Sequence, residues 1–512
     1  MNKKRISYSY IYLLIGFIFL LFSNGRWILP ITAFLAPLFI MRFFRFQKPF
    51  KGLLLIIIAC WVSNIFIWNQ VIPAGGFFYY ILMFMMSVFT SLTFLIDRIY
   101  TQKVKGIIST LVFPSVYVIM EYIVVITNPS GSYGTLAHTQ SYLPLLQLIS
   151  FTGIWGVTFL IMWTASVVNW LWDNSFEREK IIMALLIYGI PFITVILYGQ
   201  IRLSTKTKSN TVRVASININ KSSLNKRNDA FYKIYEAEDW SEYDTVSEQT
   251  NNDFLYYCHI AALSGAKIVF GVEAVLTLKK DSEKVFIEKA KFIAVRDSIY
   301  LGLPLLVIPG SFPEVLPENK IVWISPGGKI LLIYYKSKPT PGEGNYGDGL
   351  LKYFDTPFGR ISTSICFDMD FPGLINQLSN KNVDIMLVPG NDWQEITPYH
   401  TYVASFRAIE HGFNMVRAAS QGLSASFNYK GELLSSMDFY KTNDLILYSD
   451  IPAKGHKTIY SILGDYFAWM CILFFVLISI IVIRRNTTKR FNSKVLRQVP
   501  LDLFYKYLLI IF

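Results

Sequence analysis

Where the long apolar runs fall constrains this chain most. Seven crowd into the first part of the sequence, at 8–24, 27–44, 52–70, 77–96, 106–127, 143–172 and 181–201. An eighth, at about 463–483, follows a long stretch of mixed character. A bilayer's hydrocarbon core takes about 20 mostly apolar residues in a helix, so each run is expected to cross or enter a membrane. The sixth exceeds what one crossing needs, and part of it is expected at the interface or in a tilted entry. No small-residue cleavage site follows the first run ("SNGRW"), which reads as an anchor and not a removable signal peptide.

Charge orients the runs. The formal net charge of +13 suggests a polyanion partner until it is divided by region. Residues 201–462 carry 28 Lys+Arg and 28 Asp+Glu, so the entire excess lies among the apolar segments. There it sets membrane topology and gives no reason to expect nucleic acid. With the N-terminus in the cytoplasm, inside segments hold 19 Lys/Arg and the short outside loops hold one, Arg26. The opposite orientation violates the positive-inside rule at every loop. The expected organisation is a seven-span α-helical membrane domain (1–201), an extracytoplasmic α/β domain (202–460), a final membrane helix (461–485) and a cytoplasmic tail (486–512). The tail ends in "YLLIIF", which is suited to a membrane surface. Glu121, in "FPSVYVIMEYIVV", has two readings of equal weight: a functional intramembrane acid, or a structural one paired near the outer end of its helix.

The stretch 202–460 reads differently. Short β-branched runs end in Gly, Pro, Asn or Asp: "VRVASININ", "KIVFGVE", "LPLLVIPGS", "KILLIYYK", "RISTSICFD", "VDIMLVPGND", "NMVRAAS" and "LSASFNYKGELL". Helix-like patterns at 282–297 and 397–411 lie between some of them. Alternation of this kind predicts an α/β layered fold. Residues 221–260 are polar, rich in Asn, Ser, Glu and Tyr, and without clear period; they are expected to form a surface arm or insertion.

In layered folds, chemistry collects at strand ends. Three candidates sit there: Glu273 after "KIVFGV", Lys336 after "KILLIYY" and Cys366 after "RISTSI". A thiol needs a base or a cation to become a nucleophilic thiolate. A carboxylate can take its proton, and a lysine with a backbone N–H can hold a developing oxyanion. On residue type alone a strand cysteine is more often packing than nucleophile, and Glu273 and Lys336 are equally readable as solvated charges. A Cys366 pair with His400 or His411, and a Cys258–Cys366 disulfide, are the remaining alternatives. Five scattered histidines and four cysteines, with no CxxC or HExxH spacing, give no reason to expect a metal or a disulfide framework.

The three strand ends resemble the Glu–Lys–Cys order of the nitrilase (carbon–nitrogen hydrolase) superfamily. "GRISTSICFDMDFP" is similar to its nucleophile strand, "YYKSKPTPGEG" to its lysine strand and loop, and "AKIVFGVEAVL" to its glutamate strand. The resemblance covers about 212–440 and implies an αββα sandwich with Cys366 as nucleophile, Lys336 as catalytic lysine and Glu273 as general base. It further implies supporting roles for Glu343 and the Phe367 backbone N–H. In the membrane part, "FPSVYVIMEYI" followed by "GSYGTLAHTQSYLPLLQLISFTGIWGVTFLI" resembles the fifth and sixth spans of the apolipoprotein N-acyltransferase family. That resemblance implies acyl transfer from a phospholipid, through a cysteine thioester, to the N-terminal amine of a lipidated protein, with no cofactor. The chain departs from the family at Gly271-Val272 before the glutamate, at Phe367-Asp368 after the cysteine, and in the 221–260 arm. A membrane-tethered amidase or hydrolase of the same superfamily is the second expectation. A transporter or non-enzymatic scaffold is the third, disfavoured by spans with few polar or broken helices.

Overall fold

Most of the predicted apolar runs form helices near their expected bounds. The structure, a computed structural model, describes residues 3–206, 209–237, 239–340, 343–344 and 347–491. The "YLLIIF" terminus therefore lies outside the described residues. Among the described residues, six helices are long and apolar enough to cross a membrane: Pro49–Ile67, Gly76–Thr101, Ile107–Thr127, Ile154–Asp173, Arg178–Ser204 and Tyr466–Arg484. The first run is the shorter apolar helix Ile6–Leu20. The run predicted at 27–44 becomes a helix only from Thr32 to Arg45, past Pro30, and spans 14 residues. The long sixth run divides. Two short helices, Leu143–Leu146 and Ile149–Thr152, precede Ile154–Asp173. The break is Gly153, at φ 64°, where a Cβ would stand 2.5 Å from the Tyr460 ring; only glycine fits both the backbone and the space.

Two sheets follow. The first contains β1 (Thr211–Ile217), β2 (Ile268–Gly271), β3 (Leu276–Lys279), β4 (Tyr300–Ile308), β5 (Glu318–Ile324) and β6 (Ile330–Tyr335). The second contains β7 (Tyr353–Thr356), β8 (Gly359–Thr363), β9 (Ile385–Asn391), β10 (Asn414–Ser420), β11 (Leu423–Phe427) and β12 (Leu433–Asp438). A last strand, β13 (Ile446–Pro452), returns to the first sheet. The orders are β13-β1-β2-β4-β5-β6, with β3 paired to β4, and β12-β11-β10-β9-β8-β7. Within each sheet the central pairs are parallel (β1–β2, β2–β4; β8–β9, β9–β10), as is the side pair β3–β4, and the flanks are antiparallel. Apolar side chains of both sheets, among them Val214, Phe270, Trp323, Ile361, Leu387 and Val416, share one buried core. Helices cover the outer faces, which makes the predicted αββα sandwich.

The expectation for 221–260 is corrected. These residues form two helices, Lys221–Ala237 and Tyr243–Leu263, that cover the first sheet. Leu224, Phe254, Leu255, Cys258 and Ala261 are buried in the sandwich core. Their buried face also carries polar residues: Asn251 Nδ2 donates to the Thr277 carbonyl at 3.0 Å, and Ser247 and Thr277 share a hydrogen bond of 3.1 Å. A half-polar buried face blurs the apolar period on which a helix prediction rests.

The helix Tyr399–His411 forms the floor between sandwich and bundle. One side packs Ala404 and Ala408 beneath the second sheet, and the other puts Phe406 and Ile409 among Trp155, Ile149 and their membrane neighbours. Arg407 pairs with Glu410 at 2.7 Å with both side chains fully buried, and Glu410 Oε1 accepts the Ile154 N–H. The loop after β9 docks on the bundle as well: Trp393 Nε1 donates to the Gln70 carbonyl at 2.9 Å.

Candidate active site

The three predicted strand ends converge where the sheets face each other. β2 ends at Gly271, and Glu273 follows on a turn whose next residue, Ala274, takes φ 52°. The Glu273 N–H donates across to the Gly390 carbonyl of β9 at 3.3 Å. The Phe254 ring fills the space beside Gly271, where a Cβ would meet it at 2.7 Å. The departure at that position is thus matched by a side chain of the misread arm. Arg227, from the same arm, donates to the Ala274 carbonyl at 2.6 Å and holds the turn. Lys336 leaves the end of β6, its backbone N–H bonded to the Asn319 carbonyl at 2.9 Å.

Cys366 opens the 3-10 turn Cys366–Asp370 after β8. Its φ of 48° lies in the left-handed region, uncommon for a residue with a Cβ and found where surrounding structure enforces it. The enforcing group is Asp368. Its Oδ2 accepts the Ile365 N–H at 2.9 Å and the Tyr334 hydroxyl at 2.8 Å, and Oδ1 accepts the Lys338 N–H at 2.7 Å. The Phe367-Asp368 departure therefore ties the cysteine turn to the end of the lysine strand.

All three side chains are deeply buried: Glu273 is 3% exposed, Lys336 1% and Cys366 5%. Lys336 Nζ donates to Glu273 Oε1 at 2.8 Å and also contacts Glu343 Oε2. Asn319 Nδ2 donates to the same Glu273 oxygen at 2.7 Å. Glu273 Oε2 is buried with no hydrogen-bond partner among the described residues. Burial acts to lower the Lys336 ammonium, but Glu273, Cys366 and Glu343 outweigh it and hold the lysine above its ordinary value. Burial, and then Glu273, push the Cys366 thiol well up, while Lys336 and Arg417 pull it down. All four cysteines are free, so the Cys258–Cys366 pairing is absent.

Of the two histidines, His411 sits at the end of the floor helix against Phe413 and Tyr460, away from the thiol. His400 is part of the site, in a cluster that spacing did not reveal. Its Nδ1 donates to Asp392 Oδ1 at 2.7 Å and its Nε2 to Asp370 Oδ2 at 2.9 Å. Burial acts to lower this imidazole, but Asp370 and Asp392 raise it to about 9. Arg417, fully buried in β10, clasps both Asp392 oxygens at 2.8 Å and places Nη2 3.9 Å from Cys366 Sγ. Ligand atoms of Cys366, Asp392 and His400 lie within 4.8 Å of one another, a spacing that suits a metal. The Arg417 guanidinium fills that place.

The membrane part reaches this cluster. Ser132 N–H donates to the Asp370 carbonyl at 2.6 Å, and Tyr133 stacks edge-on against His400 and Tyr399. Asn319, Asp392 and Arg417 escaped the sequence reading because each lies inside an ordinary-looking strand or loop with no motif to mark it.

Comparison with known proteins covers both parts. Residues 254–459 match the carbon-nitrogen hydrolase family, and residues 11–167 match the apolipoprotein N-acyltransferase N-terminal domain. Apolipoprotein N-acyltransferase 1 of Treponema denticola is 23% identical over 74% of this chain and 78% of its own length. The apolipoprotein N-acyltransferase of Geobacter metallireducens is 23% identical over 75% of this chain and 76% of its own. A solved amidase from Nesterenkonia sp. aligns with 14% identity and a TM-score of 0.38, over 48% of this chain and 93% of that one. Bundle and sandwich are matched separately, relatives carry the two together, and the chain belongs to the apolipoprotein N-acyltransferase family, a membrane-bound branch of the nitrilase superfamily.

Proposed function

We propose that the protein moves a fatty acyl chain from a phospholipid, through a thioester on Cys366, to the N-terminal amine of a lipoprotein's diacylglyceryl-cysteine. The observation that carries this reading is the asymmetric Glu273 carboxylate. Lys336 and Asn319 occupy Oε1, while Oε2 is buried and has no hydrogen-bond partner among the described residues. An unpaired buried acceptor is costly and calls for a role. Here the role is general base.

In the first step Glu273 Oε2 takes the Cys366 proton, and the sulfur attacks the ester carbonyl. The Lys336 ammonium and the Phe367 N–H hold the oxyanion. Glu343 keeps the lysine charged and aimed. The tetrahedral intermediate collapses, the lysophospholipid alkoxide takes the proton from Glu273, and an acyl-thioester remains. In the second step the α-amino group attacks that thioester, Glu273 accepts an amine proton, and the thiolate leaves as the amide forms. The membrane domain contributes proximity, because both substrates are lipid-anchored and the site sits beside the bundle.

The charge asymmetry supports an extracytoplasmic sandwich with cytoplasmic termini. The test is mass spectrometry of a diacylated lipopeptide incubated with the purified protein and phospholipid vesicles. N-acylated peptide that disappears in Cys366→Ala is expected. Free fatty acid or ammonia with no acylated peptide would instead establish the tethered hydrolase.

A further inference from the structure

We propose that Arg417 is a further catalytic residue: its guanidinium, clamped by Asp392, faces the Cys366 sulfur as a second cation and carries the negative charge the sulfur acquires on losing a proton or an acyl group. The role in acyl release rests on the thioester reading; the role toward the thiolate does not.

The hydrogen inventory makes the case. Arg417 offers five N–H groups. Nη1 donates to Asp392 Oδ2 and Thr401 Oγ1, both at 2.8 Å, and Nη2 donates to Asp392 Oδ1 at 2.8 Å. Among the described residues the second Nη2 hydrogen has two neighbours, His400 Nδ1 at 3.0 Å and Cys366 Sγ at 3.9 Å. Nδ1 cannot accept it, because Nδ1 already donates its own hydrogen to the Asp392 carboxylate at 2.7 Å. The sulfur is the acceptor that remains.

The sulfur also needs this cation. The thiol's own hydrogen bond among the described residues goes to the Asn391 carbonyl at 3.6 Å, which accepts a thiol hydrogen and repels a thiolate. Lys336 is shared between the Glu273 and Glu343 carboxylates, so much of its charge is already balanced. A fully buried arginine inside the strand "NMVRAAS" is expensive, and a bidentate carboxylate alone is a poor reason to keep one. When Glu273 takes the thiol proton, the S–H electron pair stays on sulfur facing Arg417. When the amine displaces the acyl group, the C–S pair returns to the same sulfur.

The groups facing Cys366 are Glu273 and Lys336 from the first sheet, Glu343 behind Lys336, and Asp368 and Asp370 on its own turn. Asp392 after β9, His400 on the floor helix and Arg417 on β10 complete the set. Full-length protein in detergent is alkylated with iodoacetamide across pH, and Cys366 labelling is read by peptide mass spectrometry. In Arg417→Gln the labelling midpoint is expected to rise by about one pH unit, a roughly tenfold slower reaction at neutral pH. Arg417→Lys is expected to recover part of that shift. An Arg417→Gln protein that melts like wild type with an unchanged midpoint overturns the proposal. If Arg417→Gln does not fold, Arg417→Lys decides: it keeps a cation but loses the Nη2 hydrogen at the sulfur, so the midpoint must rise by less than about one pH unit, and an unchanged or lower one overturns the proposal. A shifted midpoint in protein that never accumulates acyl-Cys366 from phospholipid sinks the thioester reading while upholding Arg417's role toward the thiolate.

Discussion

His400 is gripped on both ring nitrogens by carboxylates, and that arrangement has a measurable pH signature. Asp370 and Asp392 raise it to about 9 against the lowering effect of burial. A histidine raised in the folded state stabilises fully below its unfolded value of about 6.5, and the contribution is lost as pH rises through about 9. The difference is on the order of 3 kcal/mol. We expect wild type to lose stability relative to His400→Gln between those pH values, measured as the difference in their melting temperatures. Asp368 invites a second test. Asp368→Asn keeps the shape but turns an amide N–H toward donors, so it is expected to cost about 1–3 kcal/mol. The loss would appear as a lower melting temperature with slower Cys366 labelling. At this scale the sequence marked Glu273, Lys336 and Cys366, which the fold brings to one place, because each follows an apolar strand. It did not expose Asn319 or Arg417, which are polar groups within strands.

The helices and strands were legible wherever one face is uniformly apolar, as in β4 and β9. They were illegible in 221–260, where the buried face includes Ser247, Thr250 and Asn251. Glu121 also becomes intelligible at the scale of elements. Its Oε1 accepts the Leu136 N–H and its Oε2 the Thr158 hydroxyl, each at 2.7 Å. The geometry shows the pairing: this acid staples the segment after its own helix to the helix Ile154–Asp173. That segment carries Ser132 and Tyr133 to the Asp370–His400 cluster. We expect Glu121→Ala to accelerate hydrogen exchange at the Leu136 amide by about tenfold or more, since a bond to a carboxylate is worth about 1.5–3 kcal/mol. Unchanged exchange there would remove the staple from the account.

At the scale of the molecule, sandwich and bundle share a floor. Phe406 and Ile409 are buried in the membrane cluster while Ala404 and Ala408 of the same helix are buried under the second sheet. Residues 209–456 expressed alone would expose that apolar face together with the Arg407–Glu410 pair. Such a fragment is expected to aggregate, whereas the full chain in detergent remains monodisperse by size-exclusion chromatography. The sequence by itself determined the apolar runs, the side of the membrane that their charges favour and the strand-and-helix alternation, because hydrophobicity and charge add up locally along a chain. Only the tertiary structure decided which polar groups meet the thiol. Glu273 and Lys336 stand 63 residues apart and Arg417 and Cys366 stand 51 apart. Contacts over such separations come from strand order and sheet packing, which leave no mark on the residues between.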